Sequence, residues 1–313
     1  MRAPEPHPTA QELLEQIEAL DILPLRQYGA EGAREVSRQL RPDVEGPAVG
    51  DVTDREVPGF DDGPAVPVRI YEPDTEGPAP TVVFFHGGGF VIGDLESHDV
   101  LCRHLVRESD AIVVSVDYRR APEHPFPAAL EDAYAAAEWV ADDPDALHSD
   151  GHLAVMGDSA GATLAAGVSR MARDWGGPAI DRQVLVYPSV SPAEDWDSRQ
   201  ENAEGYYLEE GDIEWFFECY YGSRVHTANP YGFPLVADEH AGLPETTVVT
   251  AGFDPLRDEG IAYVEALRED GVDVTHHHYE DMIHGFVTML AEPAEIETAH
   301  EAVATIGEEL AAL

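Results

Sequence analysis

The stretch LAVMGDSAGATLAAGVSRMA, residues 153–172, decides the fold of this chain. Its first four residues form an apolar run that is typical of a buried strand, and the residues after Gly161 favour a helix. Between them stands G-x-S-x-G, which in a strand–turn–helix context presents a nucleophilic serine, here Ser159. Such a turn crowds the backbone, so Gly157 and Gly161 stand where a Cβ would collide with its neighbours. We expect Asp158 to hold this turn rather than to act as a catalytic acid.

Strands and helices alternate on both sides of this stretch. Apolar runs such as VVFF at 82–85 and IVVSV at 112–116 are typical of strands with both faces covered. The strand candidates are Val66–Tyr71, Thr81–Phe85, Ile112–Asp117, Leu153–Met156, Gln183–Tyr187, Thr246–Ala251 and Val272–Tyr279. The helix candidates are His98–Ser109, Ala128–Ala141, Ala160–Arg173, Leu256–Asp270 and Glu295–Ala311. This alternation predicts an α/β protein with a mostly parallel, doubly wound sheet.

Two segments depart from the alternation. Residues 9 to about 41 are acidic and carry apolar side chains at helical spacing, and residues 189 to about 222 are acidic and aromatic. We expect both segments to contribute to a helical cap over the active site. The predicted organisation is N-terminal cap helices at 1–45, core at 46–188, an inserted cap segment at 189–222, and core again at 223–313.

A glycine run follows the strand candidate TVVFF. The motif HGGGF occupies residues 86–90, and its glycines leave backbone N–H groups uncovered, as an oxyanion hole requires. Three glycines also suit a flexible turn, which is the structural alternative. Because the nucleophile motif occurs downstream, the oxyanion interpretation is favoured, and HGGG is a known form of this loop.

A serine hydroxyl needs a base, and the base needs an orienting carboxylate. In proteins with the G-x-S-x-G turn, the acid follows the serine along the chain and the histidine comes last. Asp254 lies on the turn after the strand candidate TTVVTAG, whereas Asp258 lies one turn into the next helix and is expected to cap or pair. His284 follows the final strand candidate. The sequence therefore predicts Ser159, Asp254 and His284 as a catalytic triad.

Six motifs together resemble the hormone-sensitive-lipase-like esterases with a GDSAG elbow. They are HGGGF at 86–90, DYRRAPEHPFP at 117–127, GDSAG at 157–161, ENAEGY at 201–206, DPLRDEG at 254–260 and IHGF at 283–286. The resemblance covers about residues 66–286 and implies an α/β-hydrolase fold with a helical cap. It also implies that the backbone N–H groups of Gly88, Gly89 and Ala160 form the oxyanion hole.

The resemblance assigns supporting roles as well. It implies that His86 braces the oxyanion loop rather than acting as a base, and that Glu123 is a structural hydrogen-bonding partner near that loop. Gly87 and Asp158 complete the supporting residues. The candidate substrate contacts are Phe90, Tyr206, Tyr207, Ile283 and Phe286. The aromatic residues between 206 and 221 also suit an ordinary core.

The charge balance limits the partners. Asp and Glu number 62 against 18 basic residues, all of them Arg, which gives a formal net charge of −44. Nucleic acids and anionic membrane surfaces would be repelled, so we expect a small-molecule ester as the partner. At molar salt the Debye length falls to about 3 Å, which screens most of the self-repulsion. We expect a protein adapted to a salt-rich cytoplasm; an acidic protein from a GC-rich genome is the alternative.

Other features point to no cofactor and no metal. Cys102 and Cys219 are far apart and are expected to be free thiols. His276 and His278 could face the same way on a strand, but no third ligand has convincing spacing, so strand surface is favoured. No apolar run approaches the roughly 20 residues that span a bilayer, and the first residues lack a signal-peptide pattern. We expect a soluble, cytoplasmic monomer or homodimer.

The predicted function is a serine carboxylesterase for short- to medium-chain esters. A deacetylase or amidase with the same triad is an open alternative, because this machinery attacks any activated acyl group. A ligand-binding receptor on the same fold, resembling the plant gibberellin receptor, is a further alternative. The complete triad argues against the receptor.

Overall fold

The computed structural model describes residues 1–41 and 44–313. Positions 42 and 43, next to the predicted cap boundary at residue 45, lie outside the described residues. Over the described ranges the chain forms one eight-stranded sheet in the order β1-β2-β4-β3-β5-β6-β7-β8. The strands are β1 (Asp51–Val57), β2 (Val66–Glu72), β3 (Ala79–Phe85), β4 (Ile112–Val116), β5 (Ser149–Asp158), β6 (Arg182–Val186), β7 (Glu245–Phe253) and β8 (Val274–Ile283).

The sheet is mostly parallel, which confirms the predicted fold class. Strands β3 to β8 run parallel to one another, and β2 is antiparallel to both of its neighbours, β1 and β4. Strand β1 was not predicted from the sequence. It lies at the sheet edge, and six of its seven residues, DVTDRE, keep part of their surface in solvent. A polar edge strand lacks the apolar pattern that reveals the central strands.

Nine α-helices accompany the sheet in the part of the chain that the structure describes. They are α1 (Pro8–Ala19), α2 (Gly29–Leu40), α3 (Asp99–Ser109), α4 (Ala128–Asp142), α5 (Ala160–Trp175), α6 (Asp197–Glu201), α7 (Glu210–Tyr221), α8 (Arg257–Glu269) and α9 (Glu297–Leu310). None of these helices is long and apolar enough to cross a membrane. The N-terminal helical region divides at residues 20–28, where Asp21 has a φ of 51° and Pro24 removes a donor.

Two apolar layers cover the faces of the sheet. Along β3, Val82 and Phe84 pack with α3 and α9 on one face, and Val83 and Phe85 pack with α4 and α5 on the other. This division follows from the alternation of side chains along a strand. Because β3 to β8 are parallel, their carboxyl ends meet at one edge, where open α/β sheets bind their ligands.

The two predicted cap segments touch each other. Arg26, in the turn between α1 and α2, pairs with Glu209 at 3.3 Å and with Asp212 of α7 at 3.0 Å. Helices α6 and α7 form the excursion expected between β6 and β7. That these segments together cap the active site stays a prediction.

Candidate active site

Ser159 lies at the turn between β5 and α5 in a conformation that L-residues rarely adopt. Its φ is 53° and its ψ is −120°, and its N–H donates to the carbonyl of Val186 on β6 at 2.8 Å. A Cβ at Gly161 would collide with the carbonyl of Phe85, and one at Gly157 would collide with Gly161. The two glycines let the strands and helix approach closely enough to hold this strained turn.

A continuous hydrogen-bonded chain joins three side chains at this edge. Ser159 Oγ lies 3.0 Å from His284 Nε2, and His284 Nδ1 lies 2.8 Å from Asp254 Oδ2. Asp254 is fully buried, and its second oxygen accepts the N–H of Leu256 at 2.8 Å. In this geometry the carboxylate can fix the imidazole, which can in turn take a proton from the hydroxyl.

The sheet register explains why Asp254 and His284 meet. Phe253 at the end of β7 pairs with Ile283 at the end of β8, so the next residue of each strand is Asp254 or His284. Both side chains therefore emerge at the same edge on neighbouring strands. Asp258 is engaged elsewhere, because it pairs with Arg257 at 2.7 Å and accepts the N–H of Ser198 at 2.8 Å.

The glycine loop after β3 presents bare amide groups. Among the described residues, the N–H groups of Gly88 and Gly89 donate to no other group. Gly88 has a φ of 113°, and a Cβ there would collide with the carbonyl of Ile92. Ala160 is the first residue of α5, so its backbone N–H has no acceptor within that helix. These groups are the donors that an oxyanion hole needs.

Asp158 and His86 lie behind this loop. Asp158 Oδ1 accepts the N–H of Gly87 at 2.9 Å, which ties the serine turn to the glycine loop. The His86 ring is buried and stacks on Tyr118 with 4.2 Å between centroids. Burial, and then the electrostatic effect of the neighbouring His98, lowers the pKa of His86 to about 3. His86 is therefore neutral near pH 7 and suited to bracing the loop.

Glu123 reaches the glycine loop through an arginine that the sequence did not reveal. Glu123 pairs with Arg34 of α2 at 2.6 Å, and Arg34 Nε donates to the carbonyl of Val91 at 2.7 Å. The hydrogen bond from Arg34 lowers the pKa of Glu123 to about 2. Arg34 lies outside the family-like motifs, so no pattern in the sequence could have paired it with residue 123.

The candidate substrate contacts differ in accessibility. Phe90 is buried and stacks on Tyr220 of α7 with 3.8 Å between ring centroids. Tyr206 lies half-buried, its ring centroid 5.1 Å from that of Phe253. Ile283 and Phe286 are fully buried as well. Their roles in substrate binding stay predictions.

Tyr207 is the candidate contact that offers the most surface. It is 53% exposed, has a φ of 77°, and its ring packs directly over Gly285, beside His284. Strained backbone of this kind clusters at functional sites. Its position next to His284 suits a wall of a substrate pocket.

Asn202 holds the loop that carries Asp254. It is fully buried, and its Nδ2 donates to the carbonyl of Asp254 at 3.0 Å. Its Oδ1 accepts Arg2 Nη1 at 2.8 Å, so the N-terminal residues are tied to the same loop. The motif ENAEGY flagged this asparagine by resemblance alone, since no chemical pattern in the sequence connects it to residue 254.

The histidine run on β8 forms a local network. His276 Nε2 and His278 Nδ1 each lie 2.8 Å from the hydroxyl of Thr250 on β7. Burial, and then the charge of His278, lowers the pKa of His276 to about 4. Within residues 1–41 and 44–313, no group of three or more His, Cys, Asp or Glu side chains could hold a metal ion.

Comparisons with known proteins agree with the fold. A family model described as an alpha/beta hydrolase fold matches residues 82–288. The chain is 44% identical over 279 residues to Esterase LipI of Mycobacterium tuberculosis, covering 87% of this chain and 86% of that protein. It is 38% identical over 296 residues to Carboxylesterase NlhH of the same species, covering 92% of each. The solved hyperthermophilic esterase of Pyrobaculum calidifontis superposes with a TM-score of 0.88 at 38% identity, covering 98% of both chains.

Proposed function

Because this chain belongs to the hormone-sensitive-lipase-like family of α/β-hydrolases and is a carboxylic ester hydrolase, we propose that it reacts through an acyl-enzyme on Ser159. In this proposal His284 is the general base and Asp254 orients it. The single observation that carries the proposal is the hydrogen-bonded chain of 3.0 Å and 2.8 Å through the imidazole.

The reaction proceeds in two acyl transfers. His284 Nε2 takes the proton of Ser159 as Oγ attacks the ester carbonyl carbon. The N–H groups of Gly88, Gly89 and Ala160 bind the oxyanion of the tetrahedral intermediate. The C–O bond of the ester then breaks and His284 protonates the leaving alcohol. Water attacks the acyl-enzyme by the same route, which releases the acid and restores Ser159.

The aromatic contacts beside the glycine loop support short or medium acyl chains. A Cβ at Gly89 would enter the ring of Phe216, and Phe90 stacks on Tyr220, so α7 packs tightly against this loop. Such close packing leaves little room for a long alkyl chain beside the oxyanion donors.

A chain-length series tests this proposal. We expect kcat/KM for p-nitrophenyl butyrate to exceed that for the palmitate by at least about tenfold, since misfit of even one methylene can cost that much. Initial rates below the solubility limits give the comparison, with Ser159→Ala as background. Faster turnover of a long-chain triglyceride than of a butyrate ester would contradict the proposal. Acetylated sugars, acetylated peptides and amides in the same assay test the deacetylase and amidase alternatives.

The proposal extends to salt adaptation and a cytoplasmic location. With 62 acidic residues and only 18 arginines, the acidic residues outnumber the arginines by more than three to one. Their mutual repulsion is weakened when the screening length falls to about 3 Å at 1 M salt. The cytoplasmic location stays an expectation from the sequence.

A melting experiment tests the salt adaptation. We expect Tm to rise by about 5 °C or more between 50 mM and 2 M KCl, because screening removes repulsion that favours unfolding. Differential scanning fluorimetry at constant pH measures it, and NaCl at equal ionic strength is the control for specific ion effects. Equal Tm values at both salt concentrations would refute the proposal.

A further inference from the structure

His98 lies directly beneath the glycine loop, at the start of α3, and the mechanism above does not use it. It is 8% exposed, and its Nε2 lies 3.1 Å from Asp158 Oδ1. The same carboxylate oxygen accepts the N–H of Gly87 at 2.9 Å. A path of direct polar contacts therefore leads from His98 through Asp158 to the loop that carries Gly88 and Gly89.

The surroundings of Ser97 define the protons on His98. Ser97 Oγ donates its one proton to the carbonyl of Asp94 at 2.6 Å and accepts the N–H of Asp94 at 2.9 Å. The atom has one lone pair left, and it faces His98 Nδ1 at 2.8 Å. Nδ1 must then donate to Ser97, and Nε2 lies between two groups, Asp158 Oδ1 at 3.1 Å and the N–H of Gly87 at 3.4 Å. Because the shorter of these contacts is to a carboxylate oxygen, which can only accept, Nε2 faces it as a donor, and a ring that donates from both nitrogens is an imidazolium.

We propose that His98 is a positioning residue, a buried imidazolium that pairs with Asp158 and through it fixes the oxyanion loop. This inference rests on the proposed role of Ser159 and of the loop N–H groups. Asp158 is adjacent to Ser159 and buried, so an unpaired charge on it would oppose the negative oxyanion that forms nearby. Pairing with His98 neutralises that charge and leaves Oδ1 aimed at the N–H of Gly87.

The electrostatics of the neighbouring groups agree with this arrangement. Burial alone would raise the pKa of Asp158, but the charge and hydrogen bond of His98, together with the hydrogen bond from Gly87, hold it below its ordinary value. The ring of His86 lies 5.7 Å from that of His98 and is neutral. The cluster therefore holds one cation and one anion behind the loop.

The test compares His98→Leu, His98→Gln and a matched control, His240→Gln. His240 is equally buried and pairs with Asp270 at 3.0 Å, away from the catalytic residues. We expect His98→Leu to lower kcat for p-nitrophenyl butyrate by about 30- to 100-fold, because small misplacements of catalytic groups cost that much. KM should stay within about threefold, since the ester itself is not contacted. Affinity for a trifluoromethyl ketone, which forms an oxyanion on Ser159, should fall in parallel with kcat.

The conservative variant separates positioning from folding. His98→Gln keeps an N–H donor for Asp158 but loses the charge, so we expect a smaller loss of kcat, about five- to tenfold. Nitrogen-15 spectra of the imidazoles should show one ring with both nitrogens protonated that disappears in His98→Gln. His240→Gln should leave kcat unchanged. Where His98→Leu does not fold, the His98→Gln kinetics and spectra carry the test alone.

Several results would overturn the inference. They are an unchanged kcat in His98→Gln, a loss expressed only in KM, or a His98 ring with a single protonated nitrogen. In a double-mutant cycle, additive effects of His98→Gln and Asp158→Asn would also contradict it, because residues that act through one another are coupled. Residual activity in Ser159→Ala would instead refute the proposed function, so the two failures are distinguishable.

Discussion

Ser159→Ala is expected to lower kcat for p-nitrophenyl butyrate by about 10⁶-fold while the protein stays folded. The variant removes the oxygen that lies 3.0 Å from His284 Nε2 and is positioned to attack. Binding and the oxyanion donors remain, so a small rate above the uncatalysed reaction should persist. Purified protein from an esterase-deficient host is needed, because a trace contaminant would mask a loss of this size.

A serine on the same helix provides the control. Ser169 is buried in α5, and its hydroxyl donates to the carbonyl of Ala165 at 3.0 Å. Ser169→Ala therefore tests the loss of a buried hydroxyl without touching the site, and it should keep full activity. The wild type should show a burst of p-nitrophenol equal to the enzyme concentration when deacylation is slow, and Ser159→Ala should show none. Ser159→Ala with more than a thousandth of the wild-type kcat would refute the acyl-enzyme.

The parts of the site that could be predicted are those fixed by local chain geometry. The elbow at Ser159 and the glycine loop at 86–90 are short motifs whose glycines meet a close backbone approach, as at Gly161 against Phe85. Asp254 and His284 followed from chain order and from their places after strands. Their meeting depends on the register of β7 and β8, which the sequence implies but does not display.

The parts that could not be predicted depend on single contacts between distant residues. Arg34 meets Glu123 across 89 positions, and Asn202 meets the Asp254 carbonyl across 52. Neither residue type has a spacing that points to its partner, because such contacts arise only once the helices have packed. The role proposed for His98 could not be predicted for a different reason. Its position just before α3 made it look like an ordinary residue at the start of a helix.

Strand β1, at the exposed edge of the sheet, is the part of the fold that the sequence did not predict. Strand β1 pairs with β2 over seven residue pairs, yet its sequence DVTDREV mixes charge with two valines and one threonine. Pairing through the backbone requires no apolar side chains when one or both faces meet water. The central strands were predictable because burial on both faces demands continuous apolar runs. Predictability therefore followed burial rather than regularity.

Asp254→Asn is expected to lower kcat by about 10⁴-fold with little change in fold. Asp254 Oδ2 accepts from His284 Nδ1 at 2.8 Å, and Oδ1 accepts the N–H of Leu256 at 2.8 Å. An amide oxygen can replace only one of these acceptors, and the Leu256 N–H is a fixed donor that claims it. The amide N–H₂ then faces His284 Nδ1, which must become an acceptor and places its proton on Nε2. An imidazole in that tautomer cannot accept the proton of Ser159.

A neighbouring aspartate separates this effect from general damage to the loop. Asp258 pairs with Arg257 at 2.7 Å and accepts the N–H of Ser198, but it does not touch the imidazole. Asp258→Asn should therefore lower Tm while kcat stays close to the wild-type value. Asp254→Asn should instead lower kcat while Tm stays close to the wild-type value. Steady-state kinetics at pH 7 to 8 with parallel melting curves compare the two variants. Equal losses of kcat in both would mean that the loop, and not the carboxylate beside the imidazole, governs the rate.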